Sequence, residues 1–188
     1  KGAVEDVHIG HEGIRLDVIG GDEPHGLCGS GILAVVRELV RNGLVTRRGA
    51  FAKPEDFEVG DYRRDILRYN GTKREALLYS SGETELLVTQ SDVRQVQLAK
   101  GAIRSGIEVL LSHGGLTYED IDKVLIAGQF GAHLPAESLL QIGLLPPVTE
   151  DKLAYAGNSA KSGSVAALLS DEVKEEMEAL AKNIQYIE

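Results

Sequence analysis

Asp122-Lys123-Val124-Leu125-Ile126-Ala127-Gly128-Gln129-Phe130-Gly131 is the stretch on which the fold turns. A short apolar run follows charged residues and breaks into a glycine-spaced turn, the pattern of a buried strand. In α/β proteins a strand ending in a glycine turn at the carboxyl edge of a sheet is where nucleotides bind. The plain alternative is an ordinary strand-to-helix connection. Upstream lies a long helix, with Ser91 as its cap, Val93, Val96, Ala99, Ile103, Ile107, Leu110 and Leu111 as its inward stripe, and Gly114-Gly115 as its stop. Thr117 and Asp120 have the spacing of an N-terminal capping pair. Downstream, Pro135 marks a helix start and Pro146-Pro147 its end. A strand at Leu153–Ala156 then leads through Gly157-Asn158-Ser159 into a helix reaching about Leu169, and a charged helix carries Val173, Met177, Leu180 and Ile184. Two loops, one after each strand, would flank one crevice, which favours the nucleotide reading.

The first half is less regular. Val4–Ile9 and Ile14–Ile19 flank Gly10-His11-Glu12-Gly13, so a hairpin is expected. Gly26-Leu27-Cys28-Gly29-Ser30-Gly31 runs into a helix that Ser30 caps, with Ile32, Val35, Val36, Leu39 and Val40 at helical spacing and Gly43 at its end. From Arg47 to Gly71 charge and irregularity predict an exposed excursion. Glu75–Ser80 and Thr84–Thr89 read as a second hairpin around Ser81-Gly82. Strands alternating with helices mean α/β architecture.

Composition sets the outer limits. The 188 residues are 43% hydrophobic and 26% charged, as in a folded globular domain. Lys and Arg number 20 against 29 Asp and Glu, giving −9, which argues against a nucleic-acid surface. No apolar run suits a membrane span. The single cysteine, Cys28, excludes an internal disulfide framework and an all-cysteine metal cluster in this chain, and it fits a reducing, cytoplasmic compartment. A start at Lys1 rather than Met suggests a piece of something longer.

Three further constellations carry residues of chemical interest. His8-Ile9-Gly10-His11 and His25-Gly26-Leu27-Cys28 have zinc-ligand spacing, but strand and turn placement gives the pairs no reason to converge, so no metal ligand is assigned. Gly29, Ser30 and Gly31 open a helix and allow close backbone approach, although the loop lacks the lysine of a Walker A motif. Cys28, with His25 nearby, has no nucleophile-elbow context and reads as a small packed thiol.

Val88–Arg104, Asp122–Gly131 and Gly157-Asn158-Ser159-Ala160 together resemble the second lobe of the actin-like ATPase superfamily, which contains acetate and sugar kinases, heat-shock chaperone ATPases and actin. Gly26–Ile32 and Gln97-Leu98-Ala99-Lys100-Gly101-Ala102 are further similar to the large ATP-dependent reductive activators of corrinoid proteins. The resemblance implies a partial RNase-H-like lobe with an inserted irregular and hairpin segment. Residues 1–46 would be the hairpin and glycine-rich helix start, 47–88 the insertion, and 89–188 the nucleotide-side core. It further implies ATP with magnesium, and an iron–sulfur centre that returns the cob(II)alamin of a corrinoid methyl-transfer protein to cob(I)alamin. This sequence has neither a cysteine cluster nor an Asp-x-Gly-Thr-like phosphate loop, so both are expected outside it. Alone, the chain should touch the adenosine end of ATP and have little hydrolytic power.

Carried over residue by residue, the adenosine loop falls on Gly128, Gln129, Phe130 and Gly131, and the second wall on Gly157 and Asn158. Gly29, Ser30 and Gly31 are further candidates for contact with adenine. No catalytic acid or base is assigned, and Lys100 and Arg104 read as surface or lobe-packing residues. The implied partners are the corrinoid protein and the electron-donating module, with no nucleic acid and no membrane; a homodimer is left open. The rivals are an activator of 2-hydroxyacyl-CoA dehydratase or benzoyl-CoA reductase, and a partner-docking domain without enzymatic function.

Overall fold

A computed structural model describes residues 1–82, 84–128, 134–148 and 150–187. It divides into two compact units. The first comprises Lys1–Arg104 with Glu137–Leu145, and the second Ser105–Ala136 with Pro146–Glu188. Among the described residues, no helix is long and apolar enough to cross a membrane.

In the first unit, β1 (Ala3–Gly10) and β2 (Gly13–Val18) form the expected antiparallel hairpin, and a short parallel β3 (Gly26–Leu27) completes the sheet on the other side of β1. Val4, Val7 and Ile9 of β1 are buried, and helix α1 (Gly29–Arg41) packs on them through Ala34, Val35 and Leu39. Gly31 makes that approach possible. A Cβ built there would lie 2.1 Å from the Val4 carbonyl oxygen, far inside contact distance. Ser30 is not the cap that its position suggested: Cys28 is the N-cap, without a side-chain cap bond, and Ser30 lies buried inside the helix.

Residues 47–71 are not the exposed excursion expected from their charge. Phe51, Ala52, Ile66 and Leu67 are buried in the same core as β1 and α1. Hydrophobic transfer outweighs the flanking charges because these four residues point inward, although Val59 of the same stretch stays exposed. Side-chain bonds hold the segment in place. Tyr62 donates to Asn42 Oδ1 at 2.6 Å, and Gln90 accepts from the Phe51 amide at 3.1 Å while donating to the Gly49 carbonyl at 2.6 Å. Helix α2 (Tyr62–Ile66) leads into an antiparallel sheet of β4 (Leu67–Asn70), β5 (Lys73–Ser81) and β6 (Thr84–Thr89). The β5–β6 hairpin is the one read from the sequence; β4 is additional.

Asp61 caps α2, and its carboxylate takes the Arg63 guanidinium at 2.6 Å and the Arg63 amide at 2.9 Å. The bonds from Arg63 hold the Asp61 carboxyl at about 2. An unfolded aspartate titrates near ~3.9. The folded value is the lower one, so this link is fully present above the unfolded value and is lost only as pH falls through about 2. Carboxyl NMR titration should therefore place the Asp61 midpoint at about 2. In Arg63→Ala it should return toward the ordinary aspartate value.

Helix α3 (Gln90–Gly114) begins one residue before the expected cap. Thr89 and Asp92 cap it instead, with the Thr89 amide and hydroxyl both donating to Asp92 Oδ2 at 2.8 and 2.7 Å. Of the expected inward stripe, only Val93 is buried, whereas Ile103 and Leu110 are exposed. Helical periodicity reports an apolar face, and it does not guarantee that described residues cover that face.

The second unit holds the C-terminal part of α3, the capped turn at Tyr118–Asp120, and a two-stranded parallel sheet of β7 (Val124–Ala127) and β8 (Leu153–Gly157). Thr117 bonds Asp120 as its spacing predicted, amide to carboxylate at 2.8 Å. Helix α4 (Ala136–Gln141) follows Pro135, and its residues from Glu137 onward belong to the first unit. Helices α5 (Ser159–Leu169) and α6 (Asp171–Asn183) close the chain, and Ile184 falls just beyond α6. Strand β7 was expected to be buried, yet Leu125 is 66% exposed. It has one neighbouring strand among the described residues, whereas parallel sheets usually have both faces covered.

Candidate functional site

Strands β7 and β8 run parallel and end side by side, Ala127 opposite Gly157. Each is closed by a glycine with positive φ, +104° at Gly128 and +63° at Gly157. A side chain at either position would be strained. The two glycines are joined directly, since the Gly128 amide donates to the Gly157 carbonyl at 2.7 Å. Among the described residues, a Cβ at either glycine would meet nothing within 4 Å, so the two glycines present open backbone. This is the carboxyl edge of a parallel sheet, the usual place for a ligand in an α/β fold.

Asn158 follows immediately as the N-cap of α5. Its Oδ1 accepts from the Lys161 amide at 3.0 Å, and its carbonyl accepts from the Ser162 amide at 3.1 Å. The side chain is thus used to start the helix. Tyr155, on β8, donates to the Leu134 carbonyl at 2.5 Å, and burial, with a smaller contribution from Glu150, pushes its hydroxyl above the ordinary tyrosine value. That bond ties the segment after the glycine turn back to the sheet. Gly128, Gly157 and Asn158 therefore come together as one edge. Gln129, Phe130 and Gly131, the other expected adenosine-loop residues, lie outside the described residues.

Gly29, Ser30 and Gly31 sit in the first unit at the start of α1. Packing accounts for two of them: Gly31 is pressed on the β1 backbone, and the Ser30 hydroxyl is buried 3.1 Å from Cys28 Sγ. Cys28 donates its amide to the Val4 carbonyl at 3.0 Å, which docks the loop on β1. Arg104 packs as expected, donating to the Leu145 carbonyl at 2.6 Å, and Lys100 Nζ lies 3.2 Å from where a Gly143 Cβ would be.

The spaced histidine and cysteine pairs do not converge. His11 packs against Tyr62 with ring centroids 4.7 Å apart and planes tilted by 58°, and His8 lies 3.5 Å from Asp6. The ligand-type cluster among the described residues is Asp6, His8 and Asp17, where Asp6 already accepts from the buried Arg37 at 3.1 Å. An iron–sulfur cluster needs about four thiolates, so this chain, with Cys28 alone, does not have the donors for one.

A family model described as the C-terminal domain of RACo, the ASKHA domain, matches residues 1–188. The chain is 34% identical over 175 residues to the corrinoid activation enzyme RamQ of Eubacterium limosum, covering 91% of this chain and 30% of that protein. It is 28% identical over 97 residues to the [Co(II) methylated amine-specific corrinoid protein] reductase of Methanosarcina barkeri, covering 52% of this chain and 18% of that protein. Among solved structures, a reductive activator for corrinoid, iron–sulfur protein superposes with a TM-score of 0.84 at 31% identity, covering all of this chain and 30% of that one. The chain thus spans 30% of the length of RamQ and of the solved activator.

Proposed function

Because the chain belongs to the family of C-terminal ASKHA domains of RACo, we propose that it forms the adenosine-side wall of the nucleotide site in an ATP-dependent activator of a corrinoid protein. One observation carries this reading: the amide-to-carbonyl bond from Gly128 to Gly157, which locks two open glycine turns together at the carboxyl ends of parallel strands. A nucleotide fits such an edge because free backbone approaches it closely and, among the described residues, no side chain stands in the way. Gly128 and Gly157 would supply the contact surface, with Gln129, Phe130 and Gly131 as its continuation. Asn158 would act by fixing the α5 start beside them.

ATP with magnesium, when bound, would supply binding and hydrolysis energy for an otherwise unfavourable reduction. The chain's own part is to hold the nucleoside and to change position with it. The electron carrier is assigned elsewhere in the protein, because Cys28 cannot hold a cluster by itself. The similarity to RamQ and to the corrinoid protein reductase favours a corrinoid protein as partner over 2-hydroxyacyl-CoA dehydratase or benzoyl-CoA reductase. The cytoplasm is the proposed location.

The test is spectroscopic. Full-length protein, mixed with a corrinoid protein in the cob(II) state, a reductant and ATP, should bleach the cob(II) absorption. Omitting ATP should stop the bleaching. Bleaching at the same rate without ATP would reject the activator reading.

A further inference from the structure

The first unit contains a cavity of about 640 Å³ between the loop at Arg48, the β4–β5 turn and the first turns of α3. That volume is in the range of small-molecule sites. Four cationic side chains line it, Arg48, Lys73, Arg74 and Arg94, against one carboxylate, Glu75, for a formal balance of +3 in a chain whose total is −9.

These groups share one concavity, and their existing bonds decide which of them are left to meet a ligand. Glu75 is buried and already taken, accepting from Arg68 Nε at 2.8 Å and from Asn70 Nδ2 at 3.3 Å. Arg74 spends one nitrogen on the Phe51 carbonyl. Gln90 spends its amide on Gly49 and Phe51, and the helix end is closed by Thr89 and Asp92. The neutral lining is therefore largely satisfied from within. Arg48, Lys73 and Arg94 are exposed, and among the described residues none of the three side chains pairs with a carboxylate. Elsewhere in the same unit, Arg37, Arg41, Arg63 and Arg68 each have an acidic partner.

Three unpaired cations converging on one concavity repel one another and are stabilised by a compact multivalent anion. We propose that this cavity binds a small oligophosphate, either inorganic pyrophosphate or the phosphate chain of a nucleotide. Guanidinium forks suit phosphate oxygens through paired N–H donors, and Lys73 adds a point charge. The proposal is independent of the Gly128–Gly157 edge, which belongs to the second unit.

Calorimetric titration of the full-length protein with inorganic pyrophosphate at low salt tests it. Saturable binding is expected, weakened at least about tenfold in Arg94→Glu and in Lys73→Glu. Arg15→Glu, on β2 outside the cavity, makes the same change of charge and should leave the affinity as it was. Gly128→Asp should likewise keep pyrophosphate binding, which separates this site from the nucleotide turn. Competition by ADP would identify the nucleotide chain as the ligand, and its absence would identify the free anion; either fits the proposal. Equal loss in Arg15→Glu would overturn it, since the effect would then be one of net charge. So would an acidic peptide saturating the wild-type cavity where pyrophosphate does not.

Discussion

Replacing Arg37 by leucine should destabilise the protein by about 3–5 kcal/mol, the cost of stranding a buried charge partner. Arg37 is 3% exposed and Glu38 beside it 2%. The guanidinium donates to Ser138 Oγ at 2.8 Å, to the Val7 carbonyl at 3.0 Å, to Asp6 Oδ1 at 3.1 Å and to Glu38 Oε1 at 3.2 Å. It thereby joins β1, α1 and α4 of the first unit. Leucine would fill the volume but leave Ser138 and Glu38 in the core without it. Glu38 would keep the Ile9 amide at 2.9 Å and a longer approach from Arg41 at 3.7 Å. A folded protein has about 5–15 kcal/mol in hand, so such a loss is a large fraction of the whole. Chemical denaturation followed by circular dichroism should show the midpoint fall sharply. Leucine at both 37 and 38 should recover part of the loss, because the unpaired carboxylate is gone, but not all of it. The Ile9 amide would then lose its acceptor, Glu38, at about 1–3 kcal/mol.

That network was invisible in the sequence, where Arg37 and Glu38 look like a charged pair on a helix surface. Ser138, a partner of Arg37, is 101 positions away from it, and no local pattern reports the pair. The same reason hid the burial of Phe51, Ile66 and Leu67, single apolar residues scattered through charge. What was legible was local: the β1–β2 hairpin from two β-branched runs flanking Gly10-His11-Glu12-Gly13, the Thr117–Asp120 cap, the proline before α4 and the strand-ending glycines at 128 and 157. The cap of α3 was legible too, because Thr89 and Asp92 have the capping spacing, but the neighbouring Ser91 drew the assignment. Periodicity overstated burial along α3 and β7, since it records which residues are apolar and not what faces them. At the site, the glycines could be named in advance, while the bond that joins them could not. Arg48, Lys73 and Arg94 carried no common signal in the sequence, and only the β4–β5 turn brings Lys73 to the other two.

The central claim is that the Gly128–Gly157 edge holds the nucleoside, and Gly128→Asp tests it most strongly. The φ of +104° disfavours any side chain, and the carboxylate would project into the open space that the ligand needs. It would also bring negative charge toward the phosphate-bearing molecule. Asparagine, similar in shape but uncharged and more tolerant of positive φ, separates strain from charge and should bind more tightly than aspartate does. Circular dichroism should show that both variants keep the fold. The decisive measurement is calorimetric titration of the full-length protein with ADP. With pyrophosphate present in both titrations to fill the first-unit cavity, wild type should bind, and Gly128→Asp should bind at least about tenfold more weakly or not at all. An ADP affinity unchanged by aspartate at 128 would contradict the account.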